Sequence, residues 1–236
     1  MNYTIAATSG TGQSSTINTA FGTLLEATVK ESGIDQSGIP VIFTPPASGA
    51  TGSFAGSATI TTDASGVATA PAFTANGIAG GPYNVVGSLA GGSLSANFAL
   101  TNTAANQAIS ISTHAPAQAS FNDSFTVAAA SSSGLPVSYS SSGNCTNLGA
   151  TFTINSGNGV CTVTYSQAGD GNFNAAPPVI ESVNAQKANQ TINFAGLSDR
   201  AFNGPDFTVS ATATSNLAVS FTAGGQCTIN GATVHY

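Results

Sequence analysis

Charged residues are scarce in this chain of 236 residues, because Asp, Glu, Lys and Arg together make up only 5% of it. An average soluble domain carries roughly 25%. Fixed positive charge is limited to Lys30, Lys187 and Arg200, and the net charge is -6. Proteins that bind nucleic acid need basic side chains to neutralise phosphates. We therefore expect no nucleic-acid partner.

Long apolar runs are also missing. No stretch approaches the roughly 18 apolar residues that a membrane-spanning helix needs, so we expect no membrane span in this chain. The first ten residues, MNYTIAATSG, lack the charged start and apolar stretch of a signal peptide. We expect either that Met1 is not the natural start or that the export signal lies elsewhere.

Small polar residues replace charged ones on the expected surface. One stretch of the sequence also occurs twice. Residues 133–145 read SGLPVSYSSSGNC, and residues 215–227, 82 positions later, read SNLAVSFTAGGQC. Ser, Thr, Asn and Gly suit strands and turns better than helices. A repeat of about eighty residues with alternating apolar positions has the size of a small β-sandwich. The sequence therefore predicts sandwiches in series.

The apolar runs divide the chain into a first unit at residues 1–104, a second at 105–187 and a partial third at 188–236. The start of the third is marked by NQTINF at 189–194, which repeats NQAISI at 106–111. Seven strands are predicted in the first unit, at residues 3–7, 24–30, 41–44, 58–61, 67–70, 83–89 and 93–100. Six are predicted in the second, at residues 109–112, 125–130, 137–141, 150–154, 160–166 and 179–185. A linker at residues 103–107 is too short to let neighbouring units swing widely.

Two connections are predicted from their turn chemistry and residue parity. Residues 63–66 read DASG, which favours a hairpin between the fourth and fifth strands. In the second unit, Ile154 shares the face of Cys161 only if the two residues lie opposite each other, which places residues 155–160 in the connection or in a bulge beside it.

The first hundred residues resemble a known family. The runs GQSSTINTAFGTLLEATVKESG, VIFTPPASGATGSF, TTDASGVATAPAFTANGIAGGPYNV and ANFALTNT are similar to the bacterial immunoglobulin-like domains of invasin and intimin stalks. From residue 106 onward, SGLPVSYSSSGNC and GVCTVTYSQAGDGNFNAAP resemble Ig-like repeats of large bacterial surface proteins. The resemblance implies an all-β chain of tandem Ig-like β-sandwiches. It implies no functional residue, because the receptor-binding residues of that family lie in a distal lectin-like module, of which this chain shows no trace.

The third unit stops early in the repeat, since Tyr236 falls where Ile154 lies in the second unit. A half-sandwich exposes an apolar face and unpaired strand edges. We expect either a fragment of a longer array or a partner chain that supplies the missing strands.

Three cysteines follow the same repeat. Cys145 and Cys161 lie in one unit, whereas Cys227 matches Cys145 and its equivalent partner would lie beyond Tyr236. Cys161 shares a strand face with Val163 and Tyr165, so it is expected to face the core. A Cys145–Cys161 disulfide is favoured over buried free thiols, and over a metal site because no CxxC pair and no suitably spaced histidine exist.

No other pattern carries chemistry. His114 and His235 lack a converging acid, base and pocket, and no G-x-S-x-G elbow occurs, so we expect no enzyme and no cofactor. Asp170 and Asn172 offer two oxygen ligands, but calcium needs six to eight, so AGDGN is interpreted as turn chemistry. The spacing of six aromatic residues predicts core positions rather than a sugar-stacking platform: Phe121, Phe125, Tyr139, Phe202, Phe207 and Phe221.

Together with these patterns, the resemblance implies a non-catalytic spacer or stalk segment of a bacterial cell-surface or secreted repeat protein, an adhesin that is extracellular or lies on the cell surface. Its partners are the neighbouring Ig-like repeats, and a host or cell-surface protein or glycan is a further class left open. The alternatives are a binding module that uses a loop tip or sheet edge, or an accessory region of a secreted enzyme. Mostly short loops favour the spacer, since recognition usually uses longer ones.

Overall fold

The computed structural model describes residues 2–91 and 93–236, and these residues form strands, turns and loops without a helix. The strands fall into groups at residues 3–103, 109–186 and 192–235, which we call the first, second and third units. In the first two units, facing sheets enclose an apolar core. This confirms the prediction of an all-β chain of tandem Ig-like β-sandwiches in which the last unit is reduced. The boundaries after residues 104 and 187 stay predictions.

The first unit forms its core from alternating residues of two sheets. Val41 and Phe43 are fully buried, while Ile42 between them is exposed, because successive side chains of a strand point to opposite faces. One sheet contains β1, β3, β4 and β8, and the facing sheet runs in the order β2-β11-β10-β5-β7. The strands are β1 (Tyr3–Ser9), β2 (Gln13–Thr16), β3 (Glu26–Glu31), β4 (Ile34–Asp35), β5 (Pro40–Thr44), β6 (Gly52–Phe54), β7 (Thr59–Thr61), β8 (Val67–Thr69), β9 (Phe73–Ala75), β10 (Gly80–Leu89) and β11 (Ser95–Thr103).

The second unit repeats this arrangement with a four-stranded sheet in the order β13-β20-β19-β16. It faces a three-stranded sheet, β14-β18-β17, and a two-stranded one, β12-β15. Phe152, Val163 and Tyr165 are fully buried between these sheets. The strands are β12 (Ile109–Thr113), β13 (Gln118–Ser120), β14 (Ser124–Thr126), β15 (Ala128–Ser131), β16 (Ser138–Gly143), β17 (Cys145–Leu148), β18 (Thr151–Ile154), β19 (Val160–Ser166) and β20 (Val179–Gln186).

The two predicted connections are wrong, and for the same reason. Ile154 lies opposite Cys145, while Cys161 lies opposite Gly143 and Val183, so β18 and β19 belong to different sheets. Likewise β7 pairs with β5 and β8 pairs with β3, so residues 63–66 cross between sheets and do not close a hairpin. Side chains from opposite sheets meet in one core without sharing a ladder, which means that common burial does not require pairing.

Several short polar strands were not predicted. In each complete unit, the first strand pairs antiparallel within one sheet, and a second short strand then pairs in parallel with the last strand of the facing sheet. These second strands are β2 and β13, with the sequences QSST and QAS. The alternation of apolar and polar residues in these two strands is too weak to detect, because both strands lie at sheet edges and bury little apolar surface.

The third unit reproduces the first part of the second. Its β21–β23 ladder pairs Ile192 with Ala213, and its three-stranded sheet, β22-β25-β24, pairs Phe207 with Val234. The second unit makes the same pairs 82 or 83 residues earlier, with Phe125 opposite Phe152. The strands are β21 (Ile192–Phe194), β22 (Phe207–Thr208), β23 (Ala211–Ala213), β24 (Thr228–Asn230) and β25 (Thr233–His235).

No helix among the described residues is long and apolar enough to cross a membrane.

Candidate functional site at the junction of the first two units

The segment that joins the first two units is hydrogen-bonded to a loop of the second unit. The backbone N–H of Ala105 donates to the carbonyl of Asn172 at 2.9 Å, and the N–H of Asn174 donates to the carbonyl of Ala105 at 2.9 Å. The side-chain amide of Asn174 also donates to Asn106 Oδ1 at 2.8 Å. These bonds make the linker a short extension of the second unit, so it does not behave as a free tether.

The loop that receives the linker, residues 167–174, is shaped by its own turn chemistry. Asp170 Oδ1 accepts the backbone N–H groups of Asn172 at 2.7 Å and of Phe173 at 2.9 Å. Gly169 has a φ of +77°, and a Cβ there would lie 2.2 Å from the carbonyl oxygen of Phe173. Glycine adopts such a backbone without the steric penalty that other residues meet.

This geometry bears on the calcium hypothesis for Asp170 and Asn172. The Asp170 carboxylate and the Asn172 amide oxygen both accept protein N–H groups. Within residues 2–91 and 93–236, no group of three or more His, Cys, Asp and Glu side chains could hold a metal ion. The interpretation of AGDGN as turn chemistry agrees with these contacts.

Two buried glutamines link the loop to the linker through side-chain hydrogen bonds. Gln107 is 5% exposed, and its Nε2 donates to the carbonyl of Asn174 at 2.7 Å and to Gln167 Oε1. Gln167 Oε1 also accepts the N–H of Gly169. Buried amides are stable only when bonded in this way, so the glutamines fix the loop conformation.

The first unit contacts the same loop directly. The backbone N–H of Ala79 donates to Asn172 Oδ1 at 2.8 Å. Asn102, which is 2% exposed, holds the segment before Ala79 by donating to the carbonyls of Thr51 and Ile78 and to Asn76 Oδ1, at 2.9, 3.0 and 3.0 Å. Asn172 therefore bonds the linker through its carbonyl and the first unit through its side chain.

Burial near the junction also perturbs a tyrosine. Tyr83 donates from its hydroxyl to Asn102 Oδ1 at 2.8 Å. Desolvation raises the pKa of Tyr83 to about 12, so this hydroxyl stays protonated and remains a donor at physiological pH.

The sequence predicted a short linker but not the role of the loop at 167–174. The sequence signal that could have indicated this junction is the high density of amide side chains. These occur at Asn102, in NQ at 106–107 and in QAGDGNFN at 167–174. Amides in a turn-rich segment were explained by local turns alone, and no pattern indicated that they meet across two units.

The predicted disulfide is present, and it joins the two sheets of the second unit. Cys145 of β17 and Cys161 of β19 are bonded, with their Cα atoms 5.2 Å apart. Cys161 is fully buried, as its strand face predicted. Cys227 is a free cysteine.

Both histidines pair with single carboxylates. His114 Nδ1 lies 2.6 Å from Glu181 Oε1, and His235 Nδ1 lies 2.6 Å from Asp206 Oδ2. The other Glu181 oxygen accepts the N–H of Ala115 at 2.9 Å and the hydroxyl of Tyr165 at 2.5 Å. The two histidines belong to different units, and the structure does not bring them together.

The core prediction for the aromatic residues holds in part. Phe125 and Tyr139 pack against the second core, and the rings of Phe125 and Phe152 stack with centroids 5.6 Å apart. Phe207 and Phe221 are half-buried. Phe121 and Phe202 are 42% and 69% exposed, which contradicts the prediction for these two. Each precedes an asparagine with positive φ, Asn122 or Asn203, so each lies at a turn and outside the strand alternation.

The junction between the second and third units differs from the first. No hydrogen bond found among the described residues joins the two units there. A cleft of about 490 Å³ opens between them and is lined by residues that include Phe121, Asn158, Lys187, Gln190, Ser215 and Leu217.

No protein-family model matches the chain, and no curated protein matches it. One similar solved structure is the C-terminal 282-residue fragment of intimin in complex with the intimin-binding domain of the translocated intimin receptor. It is 14% identical with a TM-score of 0.36, and the match covers 82% of this chain and 67% of that one.

Another similar structure is SGBP-B of the Bacteroides ovatus mixed-linkage glucan utilization locus in complex with a mixed-linkage heptasaccharide. It is 16% identical with a TM-score of 0.19, and the match covers 84% of this chain and 52% of that one. This chain therefore spans about half the length of the second structure. Neither likeness assigns a family or a ligand to the chain.

Proposed function

We propose that the chain is a non-catalytic spacer segment of a bacterial surface or secreted repeat protein with an adhesin role. The observation that carries this proposal is the junction of the first two units. There, Asn172 bonds the linker and the first unit at once. A spacer must hold a distal element away from its anchor, and it does so only if neighbouring modules resist bending.

The chemistry of the chain supports an extracellular location. The Cys145–Cys161 disulfide joins two sheets of a small sandwich, and such bonds persist in oxidising compartments. The surface relies on hydroxyl and amide groups because charge is so scarce. We propose that no catalysis occurs, since each histidine meets only a single carboxylate.

A distance measurement between the first two units tests the spacer proposal. Spin labels on Ile34→Cys and Leu148→Cys, which are 70% and 89% exposed, report this distance in the full chain with Cys227→Ser. We expect a single narrow distance distribution. Asn172→Ala removes the acceptor for Ala79 at a cost of about 1 kcal/mol. That loss raises the undocked population about fivefold and widens the distribution.

Asn84→Ala is the matched control, because Asn84 is an exposed asparagine of β10. It should leave the distribution unchanged. A broad distribution in the unaltered chain would show freely jointed units and contradict the spacer proposal.

A second candidate function is supported by the cleft between the second and third units. It combines a half-exposed aromatic ring, Phe121, with polar groups of Asn158, Lys187 and Gln190. Its volume of about 490 Å³ lies within the range of small-ligand sites. The proposed binding module would take a glycan there, with the ring stacking on a sugar face. A glycan array should then show binding that Phe121→Ala abolishes and Phe202→Ala preserves.

A further inference from the structure

In each complete unit, the second strand pairs in parallel with the last one. In the first unit, β2 and β11 pair over residues 13–16 and 100–103. In the second unit, β13 and β20 pair over residues 118–120 and 184–186. We call these two pairs the terminal ladders, because they join the strands through which the chain enters and leaves each unit.

The parallel direction decides how tension acts on a terminal ladder. Parallel strands begin at the same end of their ladder. A pull on the start of the first strand and on the end of the last strand therefore acts at opposite ends of the ladder. The strands are drawn lengthwise past each other, and all hydrogen bonds of the ladder are loaded together. In an antiparallel pair the two pulled ends lie side by side, so the bonds break one after another.

The terminal ladder of the first unit continues beyond its paired residues. The backbone N–H of Gly12 donates to the carbonyl of Ala99 at 2.8 Å, and the N–H of Ile17 donates to the carbonyl of Thr103 at 3.0 Å. These two bonds extend the ladder at both ends, so more bonds share a lengthwise load.

Side chains of β2 anchor the same ladder to the rest of the first unit. Gln13 Nε2 donates to the carbonyls of Gly10 and Thr23, each at 2.7 Å. The buried hydroxyl of Ser15 donates to the carbonyl of Ala20 at 2.9 Å. Sliding of β2 would break these bonds along with the ladder.

The terminal ladder of the second unit is reinforced in a similar way. The backbone N–H of Phe121 donates to the carbonyl of Gln186 at 2.8 Å and continues the ladder. Glu181 of β20 accepts the N–H of Ala115 at 2.9 Å. The segment that precedes β13 is therefore also held by the last strand.

The Cys145–Cys161 disulfide limits how far the second unit can lengthen if its terminal ladder ruptures. It joins residues 16 positions apart in sequence, with their Cα atoms 5.2 Å apart. An extended chain spans about 3.6 Å per residue, so the closed bond withholds about 50 Å of length.

We propose that the terminal ladders are tension-bearing elements and that the disulfide restricts the extension of the second unit under load. The proposal rests on the spacer function, because a chain is pulled lengthwise only when it is anchored on one side and attached on the other. It adds resistance to tension to the resistance to bending that the junction provides.

Optical-tweezers pulling of the first unit within the full Cys227→Ser chain tests the direction of loading. Handles on Asn2→Cys and Thr103→Cys pull the terminal ladder lengthwise. Handles on Ile78→Cys and Thr103→Cys separate neighbouring ends of the antiparallel strands β10 and β11, whose pairs break in turn. We expect a rupture force at least about twofold higher in the first geometry. Equal forces would overturn the proposal.

Two buried hydroxyls of the first unit give a matched pair of variants. Ser15→Ala removes the anchor of β2, whereas Thr62→Val removes a hydroxyl that bonds Gln36 and Ile39 away from the ladder. Under the lengthwise pull, Ser15→Ala should rupture about fivefold faster, and Thr62→Val should match the parent chain. Equal acceleration by both would show that general stability sets the force, which contradicts the proposal.

The role of the disulfide is tested with handles on Thr103→Cys and Lys187→Cys, attached without reductant. The Cys145→Ser and Cys161→Ser double variant should release about 50 Å more length on rupture. Equal release would contradict the proposed restriction. If the pulling tests fail while the spin-label distance distribution stays narrow, the tension-bearing role is wrong and the spacer proposal stands. A broad distribution would reject the spacer itself.

Discussion

Glu181 holds three donors in a chain with very few charges. Its oxygens accept the N–H of Ala115 and the hydroxyl of Tyr165, and His114 lies 2.6 Å away. Burial opposes ionisation of this carboxyl, but the hydrogen bonds outweigh burial and lower the pKa of Glu181 below its usual range. Burial, together with the hydrogen bond to Glu181, raises the pKa of Tyr165.

The lowered pKa of Glu181 predicts that the folded protein loses stability at acidic pH. The folded state releases the Glu181 proton more readily than the unfolded state does, so this stabilisation is complete above the ordinary pKa of 4.5. It is lost as the pH falls through the lower folded value. We expect urea unfolding of the intact protein to show a larger loss of stability between pH 6 and pH 3 than the Glu181→Gln variant shows. Glu31→Gln, on the first unit, serves as the control, and equal pH dependence for the intact protein and Glu181→Gln would contradict the prediction.

Among the elements, the strands with strong alternation were the ones that the sequence could predict. β5, β10, β11, β18 and β19 alternate apolar and polar side chains because one face of each is buried. The short strands β2, β6, β9, β13 and β17 were missed, since a ladder of three or four residues leaves little pattern.

Which sheet each strand joins was harder to predict than its position along the chain. A turn such as residues 63–66 has the same local chemistry whether it closes a hairpin or crosses between sheets. The disulfide could be predicted because Cys161 lies on the same strand face as the core residues Val163 and Tyr165. The junction between the first two units could not be predicted. Its bonds depend on Asn172 meeting Ala79, 93 residues away in sequence.

The disulfide joins β17 to β19 across the two sheets of the second unit, so its removal should weaken that unit. Closing a loop of this size restricts the unfolded chain and stabilises by about 3 kcal/mol. We expect the Cys145→Ser and Cys161→Ser double variant to lose about that much free energy of unfolding in urea. Cys227→Ser should change stability by less than about 0.5 kcal/mol. If the double variant and Cys227→Ser lose equal stability, the disulfide does not carry this role.

In the whole molecule, stability is expected to be uneven along the chain. The third unit has short ladders and an open core, and proteins open first where few apolar contacts and few paired strands exist. Hydrogen exchange should therefore be faster across residues 207–222 than across 125–140 of the second unit. A version that ends at Lys187 should keep the unfolding transitions of the first two units, because modules in series interact chiefly with their neighbours. Strong protection of residues 207–222 in a dilute monomer would contradict this.

The junction at Asn172 is made of neutral amides, and this has a consequence for where the protein can work. Dissolved ions screen interactions between charged groups, but they hardly weaken amide hydrogen bonds of the kind that join Ala79, Ala105 and Asn172. A stalk jointed by ion pairs would soften as salinity rises. The joint between the first two units should hold the same stiffness in fresh water and in brine.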